Sequence, residues 1–240
     1  MRYLILLLML ALQPAWALSS DYAREKKWAD EIVPGVVVGD PVYLEAQGHK
    51  FLGLYTEAPD AKAGLVVVHG IGVHPDHGLI GVLRSRLADL GYTTLSIQMP
   101  ILAVEADSKA YAPLFPEAAA RIQAAAQYLQ DKGYKKVAIV SHSLGSAMTK
   151  GYFQKHADSP FAVWVSIGLS SDSYAGIKLP VFDLYGGDDL PAVVKGASAR
   201  KKTLTNPRSA QTMAPKMDHF FTGYDNDLVN YVSGYLDKNL

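Results

Sequence analysis

Apolar residues occur along this chain in two ways. Some form short unbroken runs, and others recur every three or four positions in the stretches between. Leu65-Val-Val-Val68 is wholly apolar and ends at His69-Gly70. Such a run suits a strand buried on both faces. From Leu79, apolar residues fall at 79, 80, 83, 87 and 90, and Gly91 follows. That spacing predicts a helix with one buried face. Residues 92–98 return to strand character. Pro116 then opens an alanine-rich helix with Ala118, Ile122, Ala125 and Leu129 on one face, stopped at Gly133. Val137-Ala-Ile-Val140 is the next buried strand, and a helix follows it directly. Residues 161–167 and 181–185 are two more apolar strands, and 209–213 is the last. Leu228, Val229, Val232, Tyr235 and Leu236 give a terminal helix its buried stripe. Residues 35–46 and 50–57 form an opening pair of strands. Strands alternating with helices predict a mostly parallel sheet with helices on both faces. Sites in such sheets gather at the carboxyl ends of the strands.

Composition narrows the class. In 240 residues, 49% are apolar, enough for one large core. The 23 basic and 23 acidic residues balance, so nothing marks a nucleic-acid surface or an acidic-membrane anchor. Met1-Arg2-Tyr3 leads into an apolar stretch at 4–16, and Ala15-Trp16-Ala17 fits a small-x-small cleavage rule. Residues 1–17 therefore read as a secretory signal peptide, and 18–240 as a single domain in the periplasm or outside the cell. The apolar stretch is too short to span a bilayer comfortably, so no integral membrane segment is expected in the mature chain. With no cysteine, the exported domain has no disulfide framework, no thiol nucleophile and no thiolate metal site.

The chemistry centres on Val137-Ala-Ile-Val-Ser-His-Ser-Leu-Gly145. A strand, a sharp turn carrying Ser143 and a helix make a nucleophile elbow. The turn lifts the hydroxyl clear of the sheet and sets it at a helix N-terminus. Ser141 stands where such motifs have their first glycine, and a small side chain meets the need there. The Leu144 N–H, one residue past the nucleophile, is one oxyanion donor. Serine needs a base, and the base needs an orienting acid. Gly186-Gly-Asp-Asp-Leu-Pro191 offers carboxylates after a strand, and Met217-Asp-His-Phe-Phe221 offers a histidine before the last helix. His142 adjoins Ser143, but the turn points neighbouring side chains in different directions. Asp218 reads as a turn or helix-entry residue, and Ser141 and Ser146 as small packing residues. His69, His74, Asp76 and His77 match no metal-ligand spacing, and no metal is expected. His69 is expected to brace its turn.

These residues resemble the α/β-hydrolases. The chain is most similar to a group of exported bacterial α/β-hydrolase-like proteins without an assigned substrate. The shared signature runs through His69-Gly-Ile-Gly-Val-His-Pro-Asp76, Ser96-Ile-Gln-Met-Pro100, Ser141-His-Ser-Leu-Gly145, Tyr185-Gly-Gly-Asp-Asp-Leu-Pro191 and Asp218-His-Phe-Phe221. The resemblance implies Ser143 as nucleophile, His219 as base and Asp189 as acid. It also implies the Ile71 N–H as second oxyanion donor. The Gly186-to-Asp189 spacing favours Asp189 over Asp188, and Asp172 is the rival because some members carry the acid after the earlier strand. Only a short link separates 161–167 from Pro180, so no lid domain is expected. Ile101, Leu102, Tyr111, Leu114 and Phe115 are expected to form one greasy wall of an open cleft.

The expected activity is cleavage of carboxylic esters or thioesters, small or lipid-like, through an acyl-enzyme and without a cofactor. Two alternatives stay open. One is a non-catalytic α/β-hydrolase-like binding protein of the cell envelope. The other is an acyltransferase that uses an alcohol or amine in place of water.

Overall fold

Alternate side chains along the buried strands enter two different cores, one on each face of a single sheet. A computed structural model describes residues 19–240, so the leader at 1–17 lies outside the described residues. Among the described residues the first element is helix α1 (Tyr22–Ile32), capped by the Asp21 carboxylate, which accepts the Arg24 N–H at 3.0 Å. Strands β1 (Asp40–Ala46) and β2 (His49–Thr56) form an antiparallel hairpin. Then come β3 (Gly64–Val68), α2 (Leu79–Asp89), β4 (Thr93–Ile97) and α3 (Phe115–Asp131). Next are β5 (Val137–His142), α4 (Leu144–Lys155), β6 (Phe161–Ile167), β7 (Val181–Asp188) and α5 (Pro191–Lys202). The chain ends with β8 (Ala210–Asp218) and α6 (Asp225–Asn239).

The eight strands lie in the order β1-β2-β4-β3-β5-β6-β7-β8. β2 pairs antiparallel with both β1 and β4, and every later pairing is parallel. Side chains alternate between the two faces. Val66, Val68, Ile139 and Trp164 pack with Ile122 of α3 and Met148 of α4. Leu65, Val67, Val140 and Val165 pack with Leu83 of α2 and Leu228 of α6. The mostly parallel α/β sheet with a helical layer on each face is thus the observed architecture. No helix interrupts the link from β6 to β7, so no lid is built there. Among the described residues, no helix is long and apolar enough to cross a membrane.

Several local readings change. α1 and α5 have no counterpart in the hydrophobic pattern. Leu90 is exposed at the end of α2 instead of buried. β8 continues five residues beyond Met213, to Asp218. The largest correction concerns the apolar segment after Pro100. Ser108–Leu114 is a 3-10 helix, and Ile101, Leu102, Tyr111 and Leu114 are all buried. Leu102, Tyr111 and Leu114 fill the core beside α3, half-buried Phe115 packs against it, and none of these residues or Ile101 lines the cleft.

Candidate active site

The carboxyl ends of β3, β5 and β6 are in register: Val68 pairs with Ser141, and Ser141 with Ser166. The residues that follow these strands therefore meet at one edge of the sheet. Ser143 has φ 56° and ψ −124°, a backbone state that costs a non-glycine residue of order 1–3 kcal/mol. Its N–H donates to the Ile167 carbonyl at 2.9 Å, which pins the turn to the end of β6. Ser143 caps α4, so its hydroxyl sits at the positive end of the helix dipole. Gly145 is required by close approach, because a Cβ there would lie 2.2 Å from the His69 carbonyl oxygen.

Ser143, His219 and Asp189 come together in one hydrogen-bonded line. His219 Nε2 stands 2.9 Å from Ser143 Oγ, and His219 Nδ1 stands 2.5 Å from Asp189 Oδ1. A carboxylate accepts only, so Nδ1 carries the hydrogen and Nε2 is free to accept from the serine hydroxyl. Asp189 is buried, and its carboxylate also accepts the Leu190 N–H at 2.7 Å and the Gly186 N–H at 3.2 Å. The Gly186-to-Asp189 spacing closes this loop. Gly168, with φ +62°, lies under the imidazole: a Cβ there would come 2.9 Å from His219 Cε1.

The other carboxylates lie elsewhere. Asp188 is exposed at the end of β7. Asp172 is exposed, and its charge acts on Lys150 of α4. Asp218 accepts the N–H groups of Phe220 and Thr222 at 3.0 and 2.9 Å, and so builds the turn that presents His219. The Thr222 bond holds its carboxyl below the usual range.

Two more histidines are buried here. His142 does not turn toward the serine. Its Nε2 donates to the His219 carbonyl at 2.9 Å, and its ring centroid lies 4.7 Å from that of His219. Burial, helped by the neighbouring His219, pushes it down to about 3. His69 accepts the Met99 N–H on Nε2 at 2.9 Å and donates from Nδ1 to the Gly70 carbonyl at 2.8 Å. Burial pushes it too down to about 3, so it braces the turn as a neutral ring. Asp76 is bound to Arg84 at 2.6 Å. Among the described residues, no cluster of three or more His, Asp or Glu is placed to share a metal ion.

Ser141 does more than stay small. Its Oγ accepts the indole N–H of buried Trp164 at 2.7 Å and lies 3.1 Å from Ser146 Oγ. Ser146 in turn donates to the Ile167 carbonyl at 3.1 Å. Nothing in the chain's local pattern links Trp164 to the elbow, because the contact crosses from β6 to β5.

A cleft of about 590 Å³ opens over Ser143 and His219. One wall is the segment from Gly70 to Val82, including Ile71, Val73 and Leu79; the other includes Leu190 and Phe220. Among the described residues, the lining has one ionisable group apart from its histidines, Asp225. Ile71, Leu190 and Phe220 are large apolar side chains left exposed at the mouth. Among the described residues, the Ile71 and Leu144 N–H groups donate to no protein acceptor.

No protein-family model matches the chain, and none of the curated proteins matches it in sequence. Solved structures do match. A dienelactone hydrolase from Anabaena variabilis is 20% identical with a TM-score of 0.70, over 83% of this chain and 97% of that one. An esterase of Pyrococcus furiosus is 12% identical with a TM-score of 0.65, over 83% and 92%. A serine hydrolase without a lid from Xanthomonas campestris is 14% identical with a TM-score of 0.63, over 85% and 95%. Identities this low speak for the shared fold.

Proposed function

We propose, from the premise that this chain has the α/β-hydrolase fold, that it is an exported serine hydrolase of carboxylic esters or thioesters. The observation that carries the reading is the line Ser143–His219–Asp189, with Ser143 strained at a helix N-terminus on the cleft floor. His219 Nε2 takes the Ser143 proton as Oγ bonds to the carbonyl carbon. The carbonyl oxygen becomes an oxyanion between the N–H groups of Ile71 and Leu144. Asp189 orients the ring and stabilises its positive charge. The alcohol or thiol leaves with the proton from His219. Water, deprotonated by the same nitrogen, then attacks the acyl-enzyme, and the acid is released with Ser143 restored.

The cleft suits a neutral, apolar substrate. Among the described residues, no lysine or arginine lines it to receive a substrate carboxylate, and Asp225 repels one. The exposed Ile71, Leu190 and Phe220 extend the apolar walls to the mouth. Without a lid, hydrolysis of short and medium esters needs no lipid interface.

A fluorophosphonate probe and a series of p-nitrophenyl esters test the reading. Labelling at Ser143, lost in Ser143→Ala, together with ester hydrolysis is the expected result. A folded protein that neither labels nor hydrolyses overturns it in favour of a binding protein. Labelling with turnover only after an acceptor alcohol is added means acyl transfer. Export is read separately: the mature chain should begin at Leu18, and a periplasmic protein still starting at Met1 would refute cleavage.

A further inference from the structure

The loop that carries Ile71 has no regular structure of its own between β3 and α2. An oxyanion donor must nonetheless be held to within about 0.5 Å of its working position. The restraint comes from two directions, and both lead back to α1.

The first is direct. The Arg24 guanidinium donates from Nη2 to the Gly72 carbonyl at 3.1 Å and from Nη1 to the Leu102 carbonyl. It thereby ties the loop after β3 to the segment after β4. The ring of Trp28, one turn on, lies beneath this guanidinium, 4.4 Å from ring centroid to Cζ. Its edge meets His74, His74 meets His77, and His77 lines the cleft. Arginine suits this place because its planar fork reaches two acceptors at once while its charge lies over an indole.

The second line is buried. Glu25 pairs with Arg121 at 3.0 Å, and Arg121 also binds Glu117 at 2.5 Å and donates to the Gln98 carbonyl at 3.0 Å. The next residue, Met99, donates its N–H to His69, and His69 donates to the Gly70 carbonyl. The Gly70 carbonyl and the Ile71 N–H belong to one rigid trans peptide and point in opposite directions. Holding the carbonyl on His69 aims the N–H away from it. Ser20 completes the docking of α1, since its Oγ accepts the Ile101 N–H at 2.7 Å.

We infer that α1 is a clamp on the oxyanion loop, and that Arg24 is a positioning residue for the Ile71 N–H. The inference rests on the serine-hydrolase reading above. Arg24 touches no reacting atom; it acts through the Gly72 carbonyl, next to the donor. Loosening the loop should therefore weaken binding of the tetrahedral oxyanion and leave binding of the planar ester nearly alone.

The test uses the mature chain with Arg24→Ala and Arg24→Lys. On p-nitrophenyl butanoate, Arg24→Ala should lower kcat by about 10- to 100-fold with KM within about twofold. The inhibition constant of a short trifluoromethyl ketone, whose serine adduct places an oxyanion in the same position, should rise by the factor that kcat loses. Arg24→Lys reaches one carbonyl and should fall between the two, so it keeps the test open if Arg24→Ala fails to fold. Lys26→Ala, on the exposed side of the same helix and bonded only to Asp30, should match wild type. A folded Arg24→Ala or Arg24→Lys with wild-type kcat overturns the clamp. So does a kcat loss with an unchanged ketone constant, which would make Arg24 a staple of the fold alone. A wild-type chain that neither labels nor hydrolyses fails differently: it overturns the hydrolase reading and the clamp with it.

Discussion

Acid should destabilise this protein through His69 and His142, and the size of the effect follows from their burial. The His69 side chain is fully buried and His142 nearly so. Burial lowers both to about 3, and in the unfolded chain both return to about 6.5. The sign follows from that order. The unfolded chain binds the proton first, so stability is full above about pH 6.5 and drains as pH falls toward about 3. One pH unit inside this window costs about 1.36 kcal/mol per histidine. Between about pH 6.5 and 5 each ring costs about 2 kcal/mol, and the two together about 4 kcal/mol. That is a large share of the roughly 5–15 kcal/mol that keeps a domain folded. Glu25 works the other way, because burial raises its carboxyl and the folded chain takes up that proton first, which offsets part of the loss at the low end. The assay is urea unfolding at pH 7.5, 6.5, 5.5 and 5.0. The midpoint should fall steadily below pH 6.5 at an unchanged m-value. His69→Gln and His142→Gln keep a donor and an acceptor but do not titrate, so each should remove about half of the slope. A midpoint that stays level from pH 7.5 to 5.0, or Gln variants that retain the wild-type slope, would refute the reasoning.

Five substitutions probe the site from other sides. Asp189→Asn should lower kcat by about 10⁴-fold with the fold intact, because the imidazole loses its orienting charge. Asp172→Asn and Asp188→Asn should stay near wild type, and a dead, folded Asp172→Asn beside an active Asp189→Asn would move the acid to the loop after β6. Ser141→Ala leaves the Trp164 indole N–H without its acceptor and should cost about 1–3 kcal/mol in urea unfolding; an unchanged midpoint would show that the bond contributes nothing. Gly168→Ala drives a methyl to 2.9 Å from His219 Cε1 at a left-handed backbone position, so kcat on an ester should fall more than KM changes, with Tm lowered as well; wild-type kcat would mean the ring has room to move.

Much of the fold was legible from pattern because burial follows from side-chain chemistry. Val66 and Val68 face one core while Leu65 and Val67 face the other, and a run of four apolar residues announces that without a structure. The stripes at Ala118, Ile122, Ala125 and Leu129, and at Leu228, Val229, Val232, Tyr235 and Leu236, are all buried for the same reason. α1 was invisible because it docks by charge: its buried residues are Glu25 and Ala29, which make no apolar stripe. α5 hid likewise, with buried Arg200 paired to Asp183 at 2.8 Å. Local chemistry also put Ser143 on a turn, since a strand running straight into a helix leaves few other shapes.

Tertiary structure alone decided which groups meet. Leu102, Tyr111 and Leu114 were bound to leave water, but only the packed chain shows that they enter the core beside α3 and leave the cleft to other residues. His219 reaches Ser143 across 76 positions, and Arg24 reaches the Gly72 carbonyl across 48. The physical cause is a difference between two forces. Removal from water depends on a residue's own surface and has no direction, so it can be read one residue at a time. A hydrogen bond needs two particular atoms at a set distance and angle, and the second atom is chosen by the path of the whole chain.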